Sequence, residues 1–256
     1  MTHPHRRNAA RMPRPADLAG PPWLWGWHAV VAALGNPLRP EPDRLLATPD
    51  RARELGRRFP QLRVETASNE IIDRALGRSS VHQGVALRAP ILAPTPLADL
   101  AAEPSGVLVM VDQVTDPQNL GAIFRCAAAF GARGVVLQDR HAPALAGALA
   151  KAAAGAIDAL PHAREVNLAR ALESLDEAGW RAVGLDAAGE AELADSLDER
   201  PTVLVLGSED EGLRRLVREH CELLARIPMR GGFESLNVSA AAAVALYAAQ
   251  QAQRRP

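Results

Sequence analysis

The sequence predicts an α/β protein whose second half forms a parallel sheet covered by helices on both faces. From residue 107 onward, short apolar segments alternate with longer segments of helical periodicity. The apolar segments are nearly continuous, as expected of strands that are buried on both faces. A smaller unit with the same alternation occupies residues 23–92, and residues 93–106, with three prolines, separate the two units.

The first half divides into an arm, a small unit and a linker. Residues 1–22 are rich in proline, arginine and histidine without periodicity, which predicts a disordered basic arm. Residues 23–92 are expected to fold as one domain, and residues 93–106 are expected to be a linker. The predicted helices of the small domain are 27–34, 51–58 and 70–76, and its predicted strands are 45–48, 62–66 and 84–89.

The second half, residues 107–256, is predicted to be one domain in which strands and helices alternate. The predicted strands are 107–112, 134–137, 156–160, 181–185, 202–206 and 223–227. The predicted helices are 117–130, 144–154, 168–178, 209–219 and 236–251.

The charge distribution is asymmetric although the net charge is only -1. Residues 1–90 contain 14 arginines and 8 acidic residues, whereas residues 91–256 contain 15 basic and 22 acidic residues. A basic first half suits a polyanionic partner, but a solvated arginine-rich surface explains it equally well. The two cysteines, Cys126 and Cys221, lie far apart and predict free thiols in a reducing cytosol. The sequence contains no signal-peptide pattern and no membrane span, so a cytoplasmic protein is expected.

Three polar loops follow predicted strands and begin predicted helices, at residues 112–125, 206–212 and 227–240. Such junctions are where α/β proteins place ligands. Asp116 is a candidate N-cap before Pro117, and Arg125 lies off the apolar stripe of its helix. Taken alone, Arg125 is more simply explained as a solvated arginine.

The other two junctions also have ordinary structural explanations. Ser208 and Glu211 form a capping-box pattern, and Ser235 can cap the last helix with Asn237 beside it. Gly207, directly after a strand, indicates a close approach by another group. No dinucleotide fingerprint, P-loop or nucleophile elbow is present, and the histidines lack metal-ligand spacing.

Together the three segments carry a resemblance to a known family. The motifs are Asp116-Pro117 with Asn119-Leu120-Gly121-Ala122 and Arg125, then Gly207-Ser208-Glu209 with Gly212, then Ile227-Pro228-Met229 with Ser235-Leu236-Asn237-Val238-Ser239. The sequence resembles the SpoU branch of the trefoil-knotted RNA 2'-O-ribose methyltransferases over residues 107–251, and within it the bacterial enzymes that methylate a guanosine in 23S ribosomal RNA. Residues 26–30 and 81–84 are similar to the N-terminal substrate-binding domain of those enzymes.

The resemblance implies a C-terminal parallel-sheet α/β domain with a deep trefoil knot, preceded by a small L30-like α/β RNA-binding domain. It implies a homodimer that forms through the knotted domain, uses S-adenosylmethionine, releases S-adenosylhomocysteine and needs no metal. The implied catalytic residues are Asn119, Arg125, Glu209, Ser235 and Asn237. The implied cofactor-binding residues are Leu206, Gly207, Ile227, Met229, Leu236 and Asn237. The implied RNA contacts are Arg125, His82 and Gln83, although a turn-forming role for residues 82–84 is an equal alternative. The loop 231–234 departs from the small, polar loops of related sequences.

In proposals made for this family, the arginine that matches Arg125 removes the proton of the ribose hydroxyl. A guanidinium stays protonated in proteins and is therefore a poor general base, so we expect Arg125 to stabilise charge developing on the 2'-oxygen and to bind the adjacent phosphate. Asn119 would orient Arg125 or the ribose. Three alternatives remain open: the same chemistry on transfer RNA, a non-catalytic RNA-binding or ribosome-assembly protein of the same fold, and a methyltransferase for a small molecule or protein.

Overall fold

The computed structural model describes residues 20–77, 80–209, 211–230 and 235–254, where the chain forms two sheets. Almost all of the arm predicted over 1–22, and the whole of the loop 231–234, lie outside the described residues. The elements of the first part are β1 (Trp23–Trp25), α1 (Trp27–Gly35), β2 (Arg44–Ala47), α2 (Pro49–Arg58), β3 (Glu65–Thr66), α3 (Asn69–Leu76) and β4 (Val85–Arg88). Their strand order is β1-β4-β2-β3, with β2 and β3 parallel and the other pairs antiparallel.

The second part alternates strands and helices as the sequence predicted. It comprises α4 (Leu97–Ala101), β5 (Val107–Val111), α5 (Pro117–Ala129), β6 (Gly134–Gln138), α6 (Gly147–Ala153), α7 (Ala156–Ala159), β7 (His162–Glu165), α8 (Leu168–Glu177), β8 (Arg181–Leu185), β9 (Ala191–Glu192), β10 (Thr202–Leu206), α9 (Arg215–Glu219), β11 (Leu223–Arg226) and α10 (Val238–Ala252).

The larger sheet has the order β7-β6-β5-β10-β8-β11-β9, and every described pairing in it is parallel. All residues of β5, β6 and β10 are buried, as the continuous apolar segments predicted. One apolar cluster packs α5 and α10 on one face of the sheet, and a second packs α8 and α9 on the other. The predicted doubly covered parallel sheet is confirmed; the trefoil knot stays a prediction.

The strand predicted over 156–160 is wrong. These residues form the short helix α7, and the strand follows at His162–Glu165. Ala154 and Gly155 both adopt left-handed backbone conformations, which turn the chain sharply between α6 and α7. A five-residue apolar segment fits a buried helical turn as well as a strand, so periodicity could not distinguish them.

The linker predicted over 93–106 contains a helix that the sequence did not predict. Helix α4 follows Pro96 directly, and its Leu100 is 5% exposed in the second apolar cluster. The backbone N–H of Thr95 donates to the carbonyl of His162 at 2.7 Å. The indole Nε1 of Trp180 donates to the carbonyl of Ala101 at 3.1 Å. The segment therefore packs on the larger sheet instead of spanning open space.

The two sheets are joined by a shared core. Leu24 and Val30 from the first part lie in the same apolar cluster as Leu149 and Ile157 from the second. Helix α1 packs on α6 and α7, and β1 packs on α6. Two independent domains over 23–92 and 107–256 therefore stay a prediction. Among the described residues, no helix combines the length and the apolar character of a membrane span.

Candidate active site

The candidate site lies at the carboxyl ends of the central strands. Strands β5, β10, β8 and β11 are neighbours and run parallel, so the loops that follow them meet at one edge of the sheet. A cavity of about 300 Å³ opens between these loops and the start of α10. This volume is at the lower end of the range for small-molecule sites.

Five of the six predicted cofactor-binding residues line this cavity. They are Leu206, Gly207, Ile227, Met229 and Leu236. The sixth, Asn237, does not line the cavity, but its neighbour Val238 does. The second and third motifs therefore form the walls of one cavity, although 19 residues lie between Gly207 and Ile227 in the sequence.

The sequence reading missed one wall of the cavity. Leu185, Asp186 and Ala187, at the end of β8, line it together with Arg218 of α9. Asp186 directly follows a predicted buried strand, so the rule that identified the other junctions could have identified it. The side chain of Arg218 is brought to the cavity by α9, and no local sequence pattern indicates this.

Gly207 is required by the shape of its own loop. A Cβ atom at this position would lie 2.2 Å from the carbonyl carbon of Gly212. Ser208 and Gly212 exchange backbone hydrogen bonds of 3.1 and 3.0 Å, which fold the loop back on itself. The sequence predicted a close approach at Gly207, and the approaching group is the backbone of Gly212.

The predicted helix over 209–219 begins later than expected. Helix α9 starts at Arg215, so the capping-box reading of Ser208 and Glu211 is wrong. The Ser208 hydroxyl accepts from the N–H of Glu211 at 3.2 Å, but within a turn that precedes the helix. The loop is instead anchored by Asp112, whose carboxylate is fully buried at the end of β5. Its oxygens accept from the backbone N–H of Arg214 at 3.0 Å and from the Nε of Arg214 at 2.8 Å.

Glu209 of the second motif binds one residue from each of the other two motifs. Its Oε1 accepts from Asn119 Nδ2 at 2.9 Å, from Asn237 Nδ2, and from the backbone N–H of Val238 at 3.3 Å. Asn237 Nδ2 also donates to Asn119 Oδ1 at 3.0 Å. Glu209 lines the cavity, and no donor to its Oε2 occurs in the described part of the chain. The network thus fixes two amide side chains beside the cavity.

The start of α10 differs from the sequence prediction. Asn237, not Ser235, is the N-cap of this helix: its Oδ1 accepts from the backbone N–H groups of Ser239 at 3.0 Å and Ala240 at 3.4 Å. Asn237 therefore has two functions, since its oxygen caps α10 while its nitrogen binds Glu209 and Asn119. Ser235 is exposed and lines the cavity.

Arg125 lies apart from this network. It is six residues beyond Asn119 on α5, which corresponds to about 9 Å along the helix axis. Its side chain is exposed, does not line the cavity, and has no hydrogen bond or ion pair with the residues that the structure describes. The structure brings together Asn119, Glu209 and Asn237, and leaves the guanidinium of Arg125 free.

The two predicted RNA contacts of the first part differ from each other. His82 is only 8% exposed; its Nδ1 accepts from the N–H of Gly84 at 3.0 Å and its Nε2 lies 3.1 Å from Asp73 Oδ1. Both ring nitrogens are engaged, so the turn-forming alternative describes His82. Gln83 is exposed with φ 57°, and its Oε1 accepts from the backbone N–H of Trp27 at 3.0 Å.

No cluster of three potential metal ligands occurs among the described residues. The two cysteines are free thiols, and burial raises the pKa of the Cys221 thiol to about 12. A buried thiol whose pKa is raised in this way stays protonated at neutral pH and is a poor nucleophile.

Comparison with known proteins agrees with this geometry. The profile of the SpoU rRNA Methylase family matches residues 106–247. An uncharacterized tRNA/rRNA methyltransferase of Mycobacterium avium is 41% identical over 222 residues, which are 85% of this chain and 69% of that protein. The chain spans 61% and 57% of the length of two further curated relatives that it matches.

Two solved structures extend the comparison. The SpoU methyltransferase AviRb from Streptomyces viridochromogenes, solved with the cofactor AdoMet, is 28% identical with a TM-score of 0.75, and the match covers 90% of this chain and 89% of that chain. A structure described for 2-OH methylation of C/U34 on tRNA is 30% identical with a TM-score of 0.53, and the match covers 59% of this chain and 97% of that one. The three converging motifs, the profile and these relatives together show that the chain belongs to the SpoU family of RNA methyltransferases.

Proposed function

We propose that the chain transfers a methyl group from S-adenosylmethionine to a ribose 2'-hydroxyl of RNA in the cytoplasm, most specifically to a guanosine of 23S ribosomal RNA. The observation that carries this proposal is the Asn119–Glu209–Asn237 network beside a cavity that is lined by the second and third motifs.

The residues of the cavity fit this cofactor. Leu206, Ile227 and Leu236 offer apolar surface for an adenosine group. Glu209, whose Oε2 has no donor among the described residues, supplies a carboxylate oxygen that attracts a positively charged sulfur. When bound, S-adenosylmethionine supplies a methyl group that is already activated on that sulfur, and the chain has to supply alignment and charge stabilisation.

Alignment is the task of the network. The carboxylate of Glu209 holds both amide side chains in one orientation, because each donates to the same oxygen. Placing a nucleophile at attack distance in a fixed direction can account for a large part of a rate enhancement. Asn119 orients the target ribose or Arg125, and Asn237 fixes Asn119 to the start of α10. Ser235, which lines the cavity, completes this set.

Arg125 acts through its positive charge. Its guanidinium has no acidic partner among the described residues, so its charge is available to an RNA phosphate and to the developing oxyanion. The proton leaves late, to phosphate or to solvent, and the chain needs no general base for it.

The RNA is bound by the first part of the chain together with the adjacent helix α6. Arg51 lies over the ring of Trp27 at 4.3 Å and close to Gln83, and Gly26 lies against the only lysine, Lys151 of α6. Lys151 has no acidic partner in the described part of the chain. Cations beside an exposed amide and an aromatic ring suit the backbone and the bases of single-stranded RNA.

A second copy of the chain is the proposed partner of the α5 and α10 face. Val244 and Tyr247 of α10 are 43% and 55% exposed, and Tyr247 packs edge-on against Phe130 with 6.0 Å between ring centroids. Arg125 is an exposed residue of α5, the helix on which α10 packs.

Ribosomal RNA is preferred over transfer RNA because of the extra unit at residues 23–92. The structure described for tRNA methylation matches over 97% of its own length but covers only 59% of this chain, so the rest of this chain has no counterpart in it. Transfer RNA is the second candidate substrate, since the relative from Mycobacterium avium is named for both RNA classes.

The test is methyl incorporation from labelled S-adenosylmethionine into 23S ribosomal RNA and into transfer RNA, with mapping of 2'-O-methyl positions. Arg125→Ala is expected to lose transfer by at least about 100-fold while retaining cofactor binding, and Arg125→Lys is expected to recover only part of it. If Arg125→Ala transferred methyl groups at the wild-type rate, Arg125 would not belong to the active site. Cofactor binding without incorporation into any RNA would instead favour the non-catalytic alternative, and RNA-independent turnover would favour a small-molecule or protein substrate.

A further inference from the structure

Arg218 is the only basic side chain among the described residues that line the cavity. The other charged side chains there are Asp186, Glu209 and Glu211. Glu209 is committed to the network with Asn119 and Asn237. Arg218 is therefore one guanidinium among three carboxylates in the described lining of the cavity.

Asp186 holds Arg218 in place. One guanidinium nitrogen of Arg218, Nη2, pairs with Asp186 Oδ2, and the other oxygen of Asp186 accepts from the backbone N–H of Ala188 at 2.8 Å. The side chain of Asp186 is 12% exposed and that of Arg218 is 45% exposed. Arg218 Nε and Nη1 have no acceptor among the described residues. The guanidinium is thus fixed from one side and retains donors for a ligand.

We propose that Arg218 binds the carboxylate of the methionine end of S-adenosylmethionine and that Asp186 is the positioning residue for it. This inference rests on the cofactor proposed above, but not on the identity of the RNA. The apolar walls suit the adenosine and the acidic residues suit the positive sulfur and ammonium, whereas Arg218 alone complements the negative carboxylate. Arginine is the side chain that pairs best with carboxylates, because its N–H groups form a rigid fork.

The test is titration calorimetry of the full-length protein with two ligands that share the adenosine and the sulfur. S-adenosylhomocysteine carries the carboxylate, and 5'-methylthioadenosine lacks the whole amino-acid end. Arg218→Gln is expected to weaken S-adenosylhomocysteine binding by about tenfold or more, the loss expected of one charge-assisted pair. The same variant should change 5'-methylthioadenosine binding by less than about twofold, because that ligand has no group for Arg218.

The matched control is Arg215→Gln on the same helix. Arg215 pairs with Glu219, is 76% exposed and does not line the cavity, so both affinities should stay at the wild-type values. Equal losses for the two ligands in Arg218→Gln would overturn the proposal, because Arg218 would then shape the cavity generally. Unchanged binding of both ligands would overturn it as well. A wild-type protein that binds neither ligand would contradict the cofactor assignment itself, which is a separate failure.

Discussion

Glu209 connects the three motifs through one carboxylate oxygen, and its substitution tests the network directly. Glu209→Gln keeps the size of the side chain but removes the charge that orders two amide donors. We expect methyl transfer to fall at least about tenfold while the affinity for S-adenosylhomocysteine, whose sulfur carries no charge, changes by less than about threefold, because alignment is lost and the cavity is not. Single-turnover rates and calorimetry measure the two quantities.

The control for this prediction is Glu211→Gln. Glu211 lines the same cavity but takes no part in the network of Asn119 and Asn237. If both variants transfer methyl groups at the same rate, the network does not align the substrate.

His162 gives the fold a defined response to acid. It is 3% exposed, and burial, together with Arg164 and Arg39, lowers its pKa to about 4. The unfolded chain binds this proton near pH 6.5 and the folded chain only near 4, so stability falls as the pH decreases between these values. This residue contributes a slope of at most about 1.4 kcal/mol per pH unit in that window.

Urea unfolding at several pH values measures this slope. His162→Phe should flatten it and cost little stability at pH 7, because Nε2 of His162 is buried without a partner and Phe124 already packs against the ring. A slope between pH 6.5 and 4 that is identical in the variant would show that His162 is not the group responsible.

At the scale of elements, the longer strands and helices with a clear apolar pattern could be predicted from the sequence, and the shortest elements could not. Strands such as β5 and β10 were predictable because buried parallel strands are continuously apolar and bounded by polar loops. Strand β9 has only two residues, which are too few to show an alternating pattern. Helix α4 lies in a segment with three prolines, which was therefore predicted to be a linker. Helix α7 was predicted as a strand. The left-handed conformation of Gly155, which precedes the helix, depends on tertiary packing and not on a local sequence pattern.

The same difference in scale applies to the site. The motifs located Asn119, Glu209 and Asn237, because each follows a predicted strand. Their contact could be expected only from the resemblance, since up to 118 residues separate them. Arg218 and Asp112 were not predicted: each acts through a partner that only the folded sheet brings close, Asp186 for the first and Arg214 for the second.

The segment that follows α1 is connected to α7 by a buried ion pair whose loss should be costly. Arg39 Nε and Asp158 Oδ1 lie 2.7 Å apart, and both side chains are 3% exposed. Asn36 Nδ2 donates to the same carboxylate at 3.2 Å. Asp158→Ala leaves a buried guanidinium unpaired, and we expect it to lower the free energy of unfolding by about 3–5 kcal/mol.

The double variant Arg39→Met with Asp158→Ala is the control. Removing both charges should restore much of the stability, because replacing a buried pair by apolar groups is often neutral. Urea unfolding of the two single variants and the double variant gives the coupling energy. Strictly additive losses would mean that the two residues do not act as a pair.

At the scale of the whole molecule, the proposed dimer makes a prediction of its own. Tyr247→Glu places a charge in the apolar face of α5 and α10, and burying it against a second copy would be unfavourable. We expect this variant to sediment as a monomer under conditions in which the wild type is a dimer. Leu216→Glu, at a position of α9 with similar exposure of 50%, should not change the oligomeric state.

The apolar cluster that joins Leu24 and Val30 to Leu149 and Ile157 also determines how a target nucleotide could be selected. If the first part of the chain binds the RNA as proposed, packing sets the distance between that contact and the cavity, and the length of the connecting segment does not. Only RNA folds that present a ribose at the matching distance would then be methylated. Inserting a few glycines after Glu103 should accordingly leave the methylated position unchanged, whereas a shifted mark would reveal a tethered, adjustable reach.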